Sequence, residues 1–293
     1  MGNYTQAISK YEYVLAFKPE NVRALLGQAD AKTWLWDFDG ARNTLDKVLK
    51  NDSTNPRALT IQGNLHTLCG EFDDAREKFE RALYLNLDNK REFDTWIGLT
   101  DAYIGKAHNA IIEKNETDAS EYIKKAQNSH EKAKAIEATD LYLLNAWGDL
   151  TFVEAKLELL KENSTAAIEK FMNARNIFQD IIDDKTHGYF PDAMTSLADT
   201  YLELAELEDA PDYDRVEYYQ KASENYNKVK EKTPNNHYAM TGIGFVLIEE
   251  ERYDDAKKNF EQVLDTCKDD PYAKQGMNEL RKKVSDRQLG NAT

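Results

Sequence analysis

The side chains able to do acid–base or metal chemistry in this chain are five histidines, His66, His108, His130, His187 and His237, and a surplus of carboxylates. A zinc or general-base centre needs two or three such groups converging on one point, and i, i+3 or i+4 spacing on a helix is the local way to converge. The histidines are scattered over different repeats. His130 falls in an apolar periodic position and reads as core. The chain contains no GxxxxGK[ST], no GxSxG, no HExxH and no acidic loop of the EF-hand kind. The carboxylates of "DDAREKFE" (73–80) and "DDAKKNFE" (254–261) stand at helix starts, where they favour the helix dipole. The expectation is therefore no enzyme, no cofactor and no metal.

One modification chemistry has candidates. Five Asn-x-Ser/Thr sequons occur, at Asn3, Asn51, Asn115, Asn163 and Asn291. Asn51, Asn115 and Asn163 fall in expected turns, accessible to glycosylation if the protein is exported. Turns favour Asn, Ser and Thr in any compartment, so coincidence is the competing account. A cytoplasmic location is the first expectation and an extracellular one the second.

Bulk composition narrows the class. The 293 residues exceed what one compact core organises, so two domains or a repeat array are expected. Six Pro and 13 Gly are too few for many tight turns, and long helices are favoured. The net charge of −15 argues against nucleic acid and anionic membrane surfaces. Cys69 and Cys267 are the only cysteines, without CxxC, so neither a disulfide scaffold nor a structural zinc site is expected. No apolar run approaches the ~18 residues of a membrane span.

The elements that position these groups repeat. "GEFDDAREKFERALYLN" (70–86) returns almost unchanged as "ERYDDAKKNFEQVL" (251–264). Ala7, Ala41 and Ala75 lie 34 residues apart, as do Ala222 and Ala256. Four residues after each comes a large apolar group (Tyr11, Leu45, Phe79, Tyr226, Phe260), and three later a small or branched one. Spacing of i, i+4, i+7 puts all three on one helix face. Gly63, Gly148 and Gly244 mark a preceding helix that must pack closely, while Trp96 and Tyr103 fit its aromatic positions.

A 34-residue helix–turn–helix with this W…L-G…Y…A…F…P pattern resembles the tetratricopeptide repeat, over residues 2–284. The resemblance implies an all-α, right-handed superhelix of antiparallel hairpins. Its expected layout is one solenoid over 1–284: a half repeat at 2–19, repeats at 22–55, 56–89, 93–140, 141–184, 191–236 and 237–270, and a terminal helix at 271–284, with a flexible tail at 285–293. Between Ala75 and Ala222 the period stretches, with surpluses of whole heptads within two repeats. That predicts elongated helices in the middle repeats.

In this family the first helices line a concave groove, and the ninth slot of each repeat points into it. Here that slot holds Asp30, Asn64, Asp101, Asp149, Asp199 and Phe245. The implied function is a non-catalytic scaffold whose acidic groove takes a basic or amide-rich segment of another protein. Alternatively, these side chains brace neighbouring repeats and touch no ligand. The heat-shock-tail binders of the family need lysines here, and none is present. Trp34 falls at the groove edge and Trp36 at the turn-glycine slot; either anchors a partner or packs beneath the turn, whereas Trp96 and Trp147 read as core.

The repeat frame begins and ends mid-repeat, which leaves Tyr4, Ile8, Tyr11 and Leu15 with a missing neighbour. Three explanations stand side by side: a segment of a longer repeat protein, cover by a partner or local rearrangement, and head-to-tail self-assembly through this stripe and Met277 and Leu280 of the last helix. Lys274, Asn278 and Arg281 speak against the third, because they suit a solvated cap. Two alternative functions follow, a self-assembling structural subunit and an accessory module of an enzyme or secretion complex.

Overall fold

The computed structural model describes residues 4–85, 89–184, 188–211 and 214–290. Among them are fourteen helices and no strand, and the chain divides into two compact units, Met1–Lys161 and Glu162–Thr293.

The first unit contains α1 (Tyr4–Phe17), α2 (Val22–Trp34), α3 (Phe38–Leu49), α4 (Pro56–Leu68), α5 (Phe72–Tyr84), α6 (Asn89–Ile112), α7 (Glu116–Ile136) and α8 (Leu141–Leu160). Each helix packs on the next in sequence, and α2, α4, α6 and α8 also pack on one another as a continuous layer. That is the nearest-neighbour logic of a repeat array, in which a hairpin buries its apolar face only against the hairpin beside it. Lengths follow the stretched period: α2–α5 have 12 or 13 residues, whereas α6, α7 and α8 have 24, 21 and 20.

The second unit contains α9 (Ser164–Asp183), α10 (Pro191–Ala205), α11 (Arg215–Lys232), α12 (His237–Glu249), α13 (Tyr253–Thr266) and α14 (Pro271–Gly290). It repeats the scheme, with α10 against α12 and α12 against α14.

The periodic triads carry both cores. Ala75, Phe79 and Ala82 in α5, Ala222, Tyr226 and Val229 in α11, and Ala256, Phe260 and Val263 in α13 are all fully buried. Across each hairpin the residue where the ring arrives is a glycine. A Cβ on Gly63 would lie 2.5 Å from Phe79, and one on Gly244 would lie 2.5 Å from Phe260. Helix starts are set by side-chain caps: Asn21, Asn55, Asn115, Asp140, Asn163, Asp214 and Asn236 each accept a hydrogen bond from a backbone N–H of the first turn.

Several expectations are corrected. The segment 285–290 is not a loose tail, because α14 continues to Gly290. No Pro or Gly interrupts "SDRQL", and Arg287 reaches Glu251 at 3.2 Å. Trp147 is not core: it is 39% exposed, with its ring resting on His130 at 5.4 Å, while Ala146 and Leu150 take the interior positions. Leu280 is not a surface edge, being 5% exposed and packed with Met240, Leu247 and Phe260, and Met277 leans on the same cluster.

Candidate protein-binding face

The α2–α4–α6–α8 layer carries the first four ninth-slot residues, and the local chemistry of each differs. Asp30 is half-buried; it accepts a hydrogen bond from the Trp34 indole Nε1 at 3.1 Å. Trp34 is accordingly half-buried as well, a strut for Asp30 rather than a bare anchor. Burial raises the Asp30 carboxyl above the usual range, and Arg57 opposes that rise while Asp94 adds to it. Asn64 places its amide oxygen 3.0 Å from where a Cβ on Gly98 would sit, so it lies in the α4–α6 seam. Asp101 is half-buried on α6. Asp149 accepts from Asn145 Nδ2 at 2.8 Å, a bond within α8.

In the second unit Asp199 accepts a hydrogen bond from the hydroxyl of Tyr226. Tyr226 is fully buried, so this aspartate braces α10 against α11. Phe245 turns its ring edge-on to Phe260, centroids 5.4 Å apart, and is part of the core margin.

The structure adds acidic groups that the ninth slot alone misses. Asp94 and Arg57 occupy the second slot of their repeats, and Asp140 immediately precedes its own; Lys90 sits 3.7 Å from Asp94. In the second unit Arg215 bridges Glu206 and Glu249 at 3.1 and 2.9 Å, and Lys283 meets Glu249 at 2.7 Å. Tyr219 donates to Glu206 as well. Burial raises the nearby Glu279 carboxyl, with Lys283 opposing and Glu249, Glu206 and Glu203 reinforcing. Glu279 fills the ninth slot of the last helix and Glu203 and Glu249 the thirteenth of theirs, so an extended slot table finds them.

At the chain's first helix, Tyr11 lies against Gly27 of α2, where a Cβ would meet the ring at 2.3 Å. Tyr4, Ile8, Tyr11 and Leu15 are half-buried. The most exposed apolar groups of α1 are instead Tyr13 and Phe17, 70% and 71% exposed and edge-on to each other at 5.1 Å, with Val14 exposed between them. Trp36 lies beneath the α2–α3 turn, 6% exposed and against Phe38. It takes the left-handed conformation, φ +64°, that Gly70 takes at φ +74° one repeat later.

Among the sequons, Asn51, Asn115 and Asn163 are exposed, and the latter two cap α7 and α9. Asn3 and Asn291 lie outside the described residues, as does His187. His130 is buried; Nε2–H donates to the Leu143 carbonyl at 3.1 Å, and burial lowers its pKa. The one clustering of candidate metal ligands among the described residues is His66, Glu71 and Asp74, whose ligand atoms lie within 4.8 Å of one another. No helix among the described residues is long and apolar enough to cross a membrane.

Comparison with known proteins agrees with this architecture. Models of the tetratricopeptide repeat match residues 1–65 and 58–92. No curated protein sequence matches the chain. Among solved structures, the human IFIT1 dimer with m7Gppp-AAAA is similar with a TM-score of 0.58 at 17% identity, over 99% of this chain and 60% of that one. An IFIT1 monomeric mutant (L457E/L464E) with Gppp-AAAA gives 0.53 at 18% identity, over 99% and 61%. A thermophilic TPR protein of Thermus thermophilus gives 0.48 at 15% identity, over 84% and 99%. At these identities the two IFIT1 structures speak for the fold alone, and this chain spans about 60% of the IFIT1 chain. The tetratricopeptide repeat is thus matched in sequence over residues 1–92, and helical hairpins of the same kind recur in each unit.

Proposed function

We propose that this protein is a non-catalytic scaffold that binds a basic or amide-rich segment of another protein along the α2–α4–α6–α8 layer. The observation that supports this most is the company Asp30 keeps: burial raises its carboxyl, with Asp94 adding to the rise and Arg57 opposing it. Burial likewise raises Asp94, with Asp140 at the cap of α8 adding and Lys90 and Arg57 opposing. A layer that holds several carboxylates around so few cations gains from an incoming cation. Asp101 and Asp149 extend the acidic row along α6 and α8. Asp199 and Phe245 contribute less, since both are committed to internal packing.

A nucleic-acid ligand of the kind bound by human IFIT1 is the less favoured reading, because a phosphate chain requires a surplus of Lys and Arg, and this chain has 38 against 53 acidic residues. The head-to-tail subunit is the less favoured reading too, because Leu280 is buried among Met240, Leu247 and Phe260. The test is a titration of fluorescent lysine-rich, glutamate-rich and oligo-adenylate probes against the purified chain. Binding of the lysine-rich probe alone, weakened by salt and by Asp94→Lys, supports the proposal. Preference for the oligo-adenylate, or lysine-rich binding indifferent to Asp94→Lys, overturns it.

A further inference from the structure

Four turns among the described residues share one backbone device, and Glu162 takes the same left-handed backbone (φ +60°) ahead of the Asn163 cap. The helix ends in a left-handed residue (Trp36, Gly70, Lys114, Glu251, φ between +57° and +74°). The next residue's N–H then returns to a carbonyl five positions back: Asp37 to Lys32, Glu71 to His66, Asn115 to Ala110 and Arg252 to Leu247, at 2.8–3.0 Å. That next residue is also the N-cap of the following helix, and the residue three further on is the natural partner of the cap.

In three of the turns the cap and its partner are complementary. Asp37 accepts from the backbone of Gly40 at 3.0 Å. Asn115 Nδ2 donates to Asp118 at 2.8 Å. Arg252 meets Asp255 at 3.0 Å. The fourth sets two carboxylates against each other. Glu71 makes no capping bond with its side chain, and Asp74 makes no ion pair or side-chain hydrogen bond among the described residues. Like charges facing each other are unfavourable unless a cation lies between them. Where the first turn supplies Lys32 at the position of His66, and the last supplies Arg252 at the position of Glu71, this turn supplies an imidazole.

We propose that the α4–α5 turn is a divalent-metal site in which His66 Nδ1, a Glu71 carboxylate oxygen and an Asp74 carboxylate oxygen bind a borderline ion such as Zn2+. The nitrogen donor favours Zn2+ over the hard cations Mg2+ and Ca2+, which take oxygen. His66 and Glu71 are already in contact, and their backbones are clamped by the 2.9 Å return bond. Bonds of about 2.1 Å in a tetrahedron need ligand atoms about 3.4 Å apart, so small rotations of two carboxylates close the observed 4.8 Å spread. Any proton on His66 Nδ1 leaves on binding, and water completes the shell. The i, i+5, i+8 spacing belongs to a left-handed turn rather than to a helix, which is why a search at helical spacing passes over it.

The experiment is calorimetric titration of the chelator-stripped chain with Zn2+ and, separately, Mg2+. The expected result is one saturable Zn2+ per chain, with Mg2+ far weaker. His66→Gln and Asp74→Asn each weaken Zn2+ by at least about tenfold, while Asp255→Asn at the equivalent turn has no effect. Asp74 is exposed, so Asp74→Asn remains folded even if His66→Gln does not, and the metal-free Tm of each variant verifies this. Several weak sites insensitive to both variants would mean adsorption to a chain of net charge −15, and overturn the proposal. Absence of Zn2+ binding would reduce the cluster to an internal His66–Glu71 contact, and overturns it equally.

Discussion

Tyr226 is the place where an internal role for a ninth-slot aspartate can be measured cleanly. Its ring is fully buried beneath Gly242, where a Cβ would sit 2.2 Å from it, and its hydroxyl donates to Asp199. Burial, then the negative charge of Asp199, pushes its pKa well above 10. The sign of the linkage follows. Above pH 10 the unfolded chain releases this proton and the folded chain retains it, so the folded state binds more protons and stability falls as pH rises. One such tyrosine costs about 1.4 kcal/mol per pH unit in that range. Exposed tyrosines titrate alike in both states and cancel. Tyr226→Phe removes the ionisable group while keeping the ring. The variant should lose on the order of 1.5 kcal/mol at pH 7, the worth of a hydrogen bond to a charged group. Between about pH 10 and pH 12 its stability should fall less steeply than wild type by that one-proton slope. Urea unfolding at half-unit pH steps, followed by far-UV circular dichroism, reads both. Parallel wild-type and Tyr226→Phe curves across that alkaline range would refute the reasoning and return Asp199 to the pool of ligand-facing groups.

The other predictions concern packing and acid titration. Phe79→Ala empties a fully buried slot of the first unit and should cost about 3–5 kcal/mol in urea unfolding. Gly63→Ala forces a methyl into the Phe79 ring and should cost about 1–3 kcal/mol, with partial rescue by Phe79→Leu in a double-mutant cycle. Asp270 is 2% exposed and caps α14 through Ala273 N at 2.8 Å, and burial pushes its pKa up to about 6. A carboxyl raised in the folded state destabilises above that value and stops doing so as pH falls toward about 4. Asp270→Asn keeps the cap without the charge, so its advantage over wild type, up to about 3 kcal/mol at pH 7, should vanish by about pH 4. His237 acts oppositely: burial lowers it to about 4, so its contribution is lost as pH falls from 6.5, and His237→Gln should flatten that limb of the acid profile.

The hairpin periodicity was legible because it is a burial pattern, and burial is what repeat packing imposes. Ala75, Phe79 and Ala82 could be placed on one face from spacing alone, and all three are fully buried. The stretched middle period likewise announced α6, α7 and α8 as long helices. Polar roles were less legible, because a side chain's direction within a slot is decided by its neighbours. Asp199 and Asp30 share a slot, yet one holds the Tyr226 hydroxyl and the other the Trp34 indole. Trp147 has the residue type and slot of a core group, and lies over the His130 ring at the surface because α8 already fills its interior positions with Ala146 and Leu150.

A repeat protein offers an internal comparison that a single-core domain lacks, and here it separates scaffold from specialisation. Where the same backbone geometry recurs, as in the four return bonds of 2.8–3.0 Å, the backbone cannot explain why the side chains differ. At three of these turns the difference is a substitution within one theme, a donor meeting an acceptor across the cap. At the fourth the theme is broken by Glu71 facing Asp74. A broken rule that costs electrostatic energy persists more readily when something offsets it, and functional sites are where such local conflicts are expected. The same comparison ranks the inner carboxylates. Asp199 holds the Tyr226 hydroxyl and is structural, whereas Asp94 pairs along its own helix with Lys90 and lies among Asp30, Asp140 and Arg57, which makes it the position where a basic partner should be sought first.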